Sequence, residues 1–185
     1  KYKDHPRSID LQYFEGADLI SDGDALRGAG KELDSKAAYN EALSRLGNTK
    51  DTSILYAKAQ SRIGEVLYKL GKPADALKRF ESVRAYIADK KNVTTDPNRR
   101  ANRLQARAIC DYFASRCYKD QTKWDQVVET LKDYETIYAD ESVRNFHAAV
   151  KFERLRALLK LSKLTDAERE TPKLATDRPA APQLP

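Results

Sequence analysis

Few side chains in this sequence have the types and spacing that catalysis or metal binding requires. The two histidines, His5 and His147, lie far apart in the chain, and no cysteine pair has zinc-finger spacing. The stretch from Gly23 to Glu32 has the Gly-Lys pair of a phosphate-binding loop. However, Ala25 and Glu32 stand where that loop needs a glycine and a hydroxyl residue. We therefore expect a protein that is not an enzyme and that uses no metal or other cofactor.

The two cysteines belong to one predicted helix. Cys110 and Cys117 are about two helical turns apart, or about 10 Å along the helix axis, so they cannot bridge each other. Both stand at packing positions of that helix. We expect buried thiols that act as small hydrophobic groups, rather than a redox pair or a metal site.

Amphipathic helices form the framework that must position any functional side chain. Ile63, Val66, Leu67 and Leu70 recur at the spacing of one buried helix face, and a second stripe follows Gly71-Lys72-Pro73. The second stripe consists of Ala76, Leu77, Phe80, Val83 and Ile87. Glycine ends one helix and proline begins the next, so Thr52 to Ile87 is predicted to be an antiparallel helical hairpin.

Within this hairpin, Ala57 to Tyr86 resembles a tetratricopeptide repeat, a paired-helix unit that stacks into a superhelix. The matching positions are Ile63, Gly64 and Leu67 in the first helix, Gly71 in the turn, and Ala76, Phe80 and Val83 in the second helix. Small residues are needed where the two helices cross closely. Gln60 departs from the pattern, because an aromatic residue is usual there, and no proline ends the unit. The resemblance implies an all-α fold without strands: a right-handed superhelical stack of antiparallel hairpins, or α-solenoid.

The N-terminal part of the chain is predicted to be a degenerate first repeat. A helix from Leu11 to Ile20 has Ser8 as its N-cap and ends at Gly23. The segment from Asp24 to Asp34 is either a loose helical turn or a long connection. Ser35 to Leu46 is a helix, with Tyr39 and Ala42 at the aromatic and small positions of the family.

Three further helices are predicted in the C-terminal half. The first begins at Asp96-Pro97 and runs to Tyr118, the second covers Trp124 to Tyr138, and the third covers Val143 to Leu161. The turn KLSKLTDA, from Lys160 to Ala167, is similar to KLGKPADA, from Lys69 to Ala76, which indicates internal repetition. Helix starts recur at a period of about 45 residues, longer than the family's typical 34.

The resemblance also implies a binding surface, because in this family the first helix of each pair lines a concave groove that holds a partner segment. Carried over to this sequence, the groove positions are Lys58, Ser61, Arg62, Glu65, Tyr68 and Lys69, followed by Ala108, Asp111, Tyr112, Ser115, Tyr118 and Lys119. Tyrosine suits such a groove, although each tyrosine could instead pack between helices. The variant of the family that clamps a C-terminal carboxylate uses lysine and asparagine, which Glu65 and Tyr68 do not match. We therefore expect a scaffold for a protein partner that binds as an extended segment or a helix.

A basic region offers an alternative function. It consists of Lys90, Lys91, Arg99, Arg100, Arg103 and Arg107. Arg99, Arg103 and Arg107 share one helix face and could follow the phosphates of nucleic acid or anionic lipid. No aromatic residues are interleaved with them, and Asp96 and Asp111 flank the row, which makes nucleic acid the less favoured partner.

Composition and tail sequences define the predicted domain organisation. The chain has 34 Lys and Arg against 28 Asp and Glu, and its apolar runs fall short of the roughly 20 residues that cross a bilayer. Residues 1–7 are predicted to be frayed, 8–175 to form one helical-repeat domain, and 176–185 to be a proline-rich disordered tail. The turn from Tyr138 to Ser142 is similar to YPDS-like turns of bacterial periplasmic and outer-membrane-associated members. That similarity and the lack of methionine favour an exported protein, with a cytoplasmic location left open.

The helix from Val143 to Leu161 is apolar on two faces, one that includes Phe146 and Val150 and another that includes Leu155 and Leu159. A helix of this kind must be covered on both faces. We expect its outer face to serve for self-association or to pack against further chain. The alternative is that a short helix from Thr165 to about Ala175 folds back and covers it.

Overall fold

The computed structural model describes residues 6–89, 94–137 and 143–162, and every regular element in these ranges is a helix. The elements are α1 (Pro6–Gly28), α2 (Glu32–Gly47), α3 (Tyr56–Lys69), α4 (Pro73–Ala88), α5 (Pro97–Asp120), α6 (Trp124–Thr130), α7 (Tyr134–Ile137) and α8 (Arg144–Lys160). Consecutive long helices pack in pairs, α5 also packs on both α3 and α4, and α8 packs on α5 and α6. The all-α prediction is thus confirmed for the described ranges.

Several predictions concern residues outside these ranges. They include Lys90 and Lys91 of the basic region, the turn from Tyr138 to Ser142, the helix from Thr165 to Ala175 and the tail 176–185.

No described helix is long and apolar enough to span a membrane.

A residue with left-handed backbone conformation follows four of the described helices. Gly30 and Gly71 both have φ of 75°, Thr122 has 58° and Ser162 has 57°. They follow α1, α3, α5 and α8 and are spaced by roughly 40 to 50 residues, a spacing typical of helical repeats. Thr122 and Ser162 adopt a conformation that is uncommon for residues with a side chain, so the turn geometry is retained even where glycine is absent.

Hydrogen bonds show that these turns share one backbone motif. In the first three, the N–H of the residue after the left-handed position donates to the carbonyl oxygen five residues earlier. The pairs are Lys31 to Leu26, Lys72 to Leu67 and Lys123 to Tyr118, each at 2.9 Å. This bond defines the Schellman helix end, which satisfies carbonyl groups that the helix leaves unpaired. Three helix pairs are therefore joined by equivalent three-residue connections.

Three glycines, Gly16, Gly23 and Gly64, allow a close approach of the neighbouring helix, and the last two face aromatic rings. A Cβ atom on Gly64 would lie 2.3 Å from Cε1 of Phe80, and one on Gly23 would lie 2.5 Å from Cε1 of Tyr39. The predicted close crossing at Gly64 is therefore confirmed. Gly23 and Tyr39 are separated by the same number of residues as Gly64 and Phe80, so the first two helix pairs cross in the same register.

The first helix differs from the prediction at both ends. Helix α1 begins at Pro6, where the fixed φ of proline suits the first turn, so Ser8 lies inside the helix and is not its N-cap. The helix does not end at Gly23. This glycine lies inside the helix and leaves room for the ring of Tyr39. Helix α1 continues to Gly28, and α2 begins at Glu32 after a short turn, so the long connection predicted as one option is wrong.

The predicted helix from Trp124 to Tyr138 is interrupted. Helix α6 ends at Thr130, and the chain turns before α7 begins. The carbonyl oxygen of Asp133 accepts hydrogen bonds from the N–H groups of Thr136 and Ile137, at 3.2 and 3.1 Å, and so starts a new helical turn. Aspartate favours helix starts over helix interiors, which accounts for the break. The start of α5 agrees with the prediction, since the Asp96 side chain caps it by accepting from Asn98 N–H at 2.8 Å.

The buried core of the described residues consists of three clusters, and neighbouring clusters share partly buried side chains. One cluster around Tyr39, Leu46 and Val66 joins α1, α2 and α3, and a second around Phe80 and Ile109 joins α3, α4 and α5. A third joins α5, α6 and α8.

Cys110 and Cys117 are free thiols that are both buried within the second cluster, as predicted. Burial raises the pKa of Cys117 to about 12 and also raises the pKa of Cys110.

Candidate partner-binding groove

On α3, the predicted groove residues are linked by ion pairs. Glu65 is only 3% exposed and accepts from Arg62 Nη1 at 2.5 Å, with Lys69 Nζ at 2.9 Å. Lys69 Nζ also donates to both carboxylate oxygens of Asp24 in α1, at 2.7 and 2.5 Å. Ser61 is buried and donates to the carbonyl oxygen of Lys58 at 2.8 Å. Glu65 and Ser61 therefore stabilise the helices and present little side-chain surface to a partner.

On α5, two polar residues of the predicted groove are buried, as on α3. Asp111 is 1% exposed and accepts from Arg84 Nη2 at 2.6 Å and from Arg107 Nε at 2.7 Å, which ties α5 to α4. Burial raises the pKa of the Asp111 carboxyl, and the two guanidiniums oppose that shift. Ser115 is buried and donates to the carbonyl oxygen of Tyr112 at 2.7 Å.

Tyr118 and Lys119 lie at the end of α5. Tyr118 packs against the buried clusters of both neighbouring layers. Lys119 Nζ donates to Glu153 of α8 at 2.7 Å, and both side chains are largely buried. These two residues therefore join α5 to the C-terminal helix.

Three side chains from α3 and α5 form a ladder, which we name the Tyr68–Arg116–Tyr112 ladder. The Arg116 guanidinium carbon lies 5.5 Å from the Tyr68 ring centroid and 5.7 Å from that of Tyr112. Arg116 Nη1 also donates to the Tyr112 hydroxyl at 3.2 Å. A guanidinium between two aromatic faces is held by cation–π attraction. All three side chains are half-buried, so the ladder retains accessible surface.

Hydrogen bonding orients the outer end of the ladder. The Tyr68 hydroxyl donates to Asp120 Oδ2 at 2.8 Å. Burial and this hydrogen bond raise the pKa of Tyr68, while Arg116 acts in the opposite direction, so the phenol stays neutral near pH 7. Arg116 has no carboxylate within 4.0 Å among the described residues, and its Nε is buried without a hydrogen-bond partner. The ladder thus contains a cation whose hydrogen-bonding capacity is not used up.

The ladder opens into a cleft of about 560 Å³ between α1, α2, the α3–α4 turn and the end of α5. Its described lining consists of Arg27, Glu32, Lys36, Tyr68, Lys69, Leu70, Gly71, Pro73, Arg116 and Asp120. Four of these side chains are cations and two are carboxylates. Lys36 and Arg27 share Glu32, at 3.4 and 3.9 Å, while Arg27 Nη2 also donates to the Lys69 carbonyl oxygen at 2.6 Å.

Arg116 is the residue that sequence reasoning missed. The family positions carried over to α5 include Tyr112 but pass over Arg116, which lies one turn later on the same helix face. A signal was present, because an aromatic residue and an arginine at i and i+4 of a helix are close enough to interact.

The basic region is only partly assembled by the fold. Arg107 is paired with Asp111, and the Arg103 guanidinium carbon lies 5.9 Å from the ring centroid of Tyr86. Arg100 is exposed. Together, Arg100, Arg103 and Arg107 line a cavity of about 330 Å³, whereas Arg99 does not line it.

In the described ranges, no group of three or more His, Cys, Asp or Glu side chains is placed to hold a metal ion. Comparison of the whole chain with family models, curated proteins and solved structures finds no match, so a functional assignment rests on the residues and contacts described above.

Proposed function

We propose that this protein is a non-catalytic scaffold of tetratricopeptide type, which holds a segment of a protein partner against the faces of α3 and α5. The observation that carries the proposal is the Tyr68–Arg116–Tyr112 ladder. It spans two neighbouring helices and adjoins the cleft of about 560 Å³. Tyrosine and arginine are among the side chains that contribute most to binding energy at protein interfaces, because they offer large contact areas and directed hydrogen bonds.

The repeated turn geometry supports the architectural part of the proposal. Gly30, Gly71 and Thr122 occupy equivalent positions in three helix connections. Equivalent units that stack on their neighbours bury a continuous core and expose one extended face, which is how helical repeats bind partner segments. A right-handed superhelical stack of the three helix pairs is the arrangement that we propose.

Buried ion pairs limit the contact surface. Since Glu65, Ser61, Asp111 and Ser115 are buried, we expect the partner to contact the half-buried members of the predicted set, with Arg116 added. These are Lys58, Arg62, Tyr68, Lys69, Tyr112 and Arg116, whereas the half-buried Tyr118 and Lys119 already contact the neighbouring clusters and α8. The cations in this set favour a partner segment with carboxylates or backbone carbonyl groups.

Site-specific photo-crosslinking tests the proposal. A photoreactive phenylalanine analogue at position 68 should crosslink to a partner in extracts of the source organism, and mapping of the adduct by mass spectrometry should identify the bound segment. The same analogue at Lys78, which is exposed on α4, is the control. If position 68 gives no adduct above that of position 78, the groove is not a binding site.

A further inference from the structure

The cavity beside α5 has features that the groove lacks. It lies where the end of α4, the first half of α5 and the end of α7 meet, and its volume is about 330 Å³. Ile87, Leu104 and Ile137 form its apolar part, and Arg100, Arg103 and Arg107 stand around them. No carboxylate belongs to its described lining.

The charges of this cavity are not balanced from within the described protein. Arg107 pairs with Asp111 at 2.7 Å and is also stabilised electrostatically by Asp133, but Arg100 and Arg103 have no carboxylate within 4.0 Å among the described residues. Arg103 is held over the Tyr86 ring, which orients it without neutralising it. The cavity therefore offers two unneutralised guanidiniums next to apolar surface.

We propose that this cavity is a second docking site, separate from the groove, and that it takes an acidic protein segment with an aliphatic anchor residue. Guanidiniums bind carboxylates through paired hydrogen bonds of fixed geometry. Arg100 and Arg103 lie on one helix face, about 5 Å apart along the helix axis, which matches carboxylates on successive turns or alternate residues of a bound segment.

The volume fits the proposed anchor. A protein cavity of about 150 Å³ holds a benzene ring, so a cavity of about 330 Å³ can accommodate one or two aliphatic side chains. Burial of that anchor against Ile87, Leu104 and Ile137 supplies the hydrophobic part of the affinity, and the arginines select acidic neighbours.

Other anionic partners fit this site less well. Nucleic acid binding without sequence preference uses aromatic rings on which bases stack, and the described lining contains none. A membrane surface is bound by apolar side chains that project outward, whereas here the apolar residues line a concavity. The geometry thus favours a protein segment over either.

The test is selection from a display library of random peptides, with three forms of the protein as bait. The wild type should enrich peptides in which Asp or Glu residues flank Leu, Ile or Val. Arg100→Gln combined with Arg103→Gln should lose these peptides, whereas Arg99→Gln should retain them. Arg99 is the matched control, since it lies on the same helix but outside the cavity lining.

Binding of one enriched peptide, followed by fluorescence anisotropy, should weaken about tenfold or more in the double variant and less than about twofold in Arg99→Gln. Circular dichroism must show that all three proteins are equally helical. A Tyr68→Ala variant should still bind the peptide, which separates this site from the groove.

Three outcomes would overturn the proposal. The first is that no acidic peptides are enriched. The second is that the enriched peptides bind the double variant as well as they bind the wild type. The third is that vesicles of phosphatidylglycerol or a single-stranded oligonucleotide, in place of peptides, bind the wild type and lose binding in the double variant.

Discussion

Several charged and phenolic side chains of this protein are buried where two helices contact each other. Asp111 receives two arginines from different helices, and Tyr39 donates to Asp24 Oδ1 at 2.6 Å while its ring fills the space that Gly23 leaves. A buried charge tolerates removal of a partner poorly, because the remaining group is left desolvated and unpaired. These residues should therefore dominate the response of the protein to mutation and pH.

Replacement of Asp111 by alanine should lower the free energy of unfolding by about 1.5 to 3 kcal/mol, because Arg84 and Arg107 lose charged hydrogen bonds but remain partly exposed. Urea denaturation followed by circular dichroism measures the change. The control is Asp18→Ala on α1, since Asp18 is exposed, and we expect a change within about 0.5 kcal/mol. Equal effects of the two substitutions would show that the buried ion pairs contribute little.

Alkaline pH should destabilise the protein partly through Tyr39. Burial and the hydrogen bond to Asp24 raise the pKa of Tyr39 from 10.0 to about 12, so the unfolded chain releases this proton at lower pH than the folded protein. The stabilising contribution is complete below about pH 10 and is lost as pH rises towards 12. In Tyr39→Phe, the free energy of unfolding should fall less over this window than in the wild type. An identical fall in both proteins would contradict the assignment.

At the scale of helices, glycine serves two distinct purposes that look alike in the sequence. Gly71 was recognised as a helix end because Lys72 and Pro73 follow it. Gly23 looks like a helix end in the sequence but allows a close crossing, and α1 instead ends at Gly28, just before the left-handed Gly30. The spacing of Gly23, Gly30 and Tyr39 equals that of Gly64, Gly71 and Phe80, so comparison of the two segments would have predicted the first helix pair.

The remaining elements and the site were harder to predict for physical reasons. The break after Thr130 is not visible in the apolar periodicity, which continues through it, and Asp133 is the local residue that favours a new helix start there. Most groove positions could be carried over from the family pattern, but the burial of Asp111 depends on Arg84, which is distant in the sequence, and on Arg107, which lies outside the pattern. Arg116 contributes through Tyr68 on another helix, a contact that periodicity on one helix does not reveal.

The crossing of α3 and α4 predicts the effect of a single methyl group. Gly64→Ala should lower the free energy of unfolding by about 1 to 3 kcal/mol, even though alanine favours helix, because the new Cβ overlaps the Phe80 ring. Gly28→Ala is the matched control. No atom lies within 4 Å of a Cβ at that position, so stability should be unchanged or slightly raised.

A double variant tests whether the loss of stability comes from steric overlap between the new methyl group and the Phe80 ring. Phe80→Leu should recover part of the loss in the Gly64→Ala background, because a smaller side chain relieves the clash. Thermal or urea unfolding provides the measurement. The absence of any loss in Gly64→Ala would show that the two helices can separate without cost.

At the scale of the whole molecule, α8 retains an exposed apolar face in the described structure. Phe152 is 57% exposed and Leu159 is 51% exposed, while Val150, Ala157 and Leu158 on the other face are buried. Exposed apolar patches of this kind often mark interaction sites. Sedimentation at several protein concentrations should show association that Leu159→Lys abolishes. A monomer at every concentration, with Leu159→Lys equally folded, would show that this face needs no second copy.

The central claim is that the Tyr68–Arg116–Tyr112 ladder binds a partner segment. Its most direct test is the affinity of the segment recovered by crosslinking at position 68, measured at low and high salt. The proteins compared are the wild type, Tyr68→Ala, Tyr112→Ala, Arg116→Gln, and one variant that combines Arg99→Ala, Arg100→Ala and Arg103→Ala. We predict that Tyr68→Ala and Arg116→Gln each weaken binding about tenfold or more, that the combined variant changes it little, and that salt has a shallow effect. Intact binding in both tyrosine variants, with loss in the combined variant and a steep salt dependence, would contradict the claim.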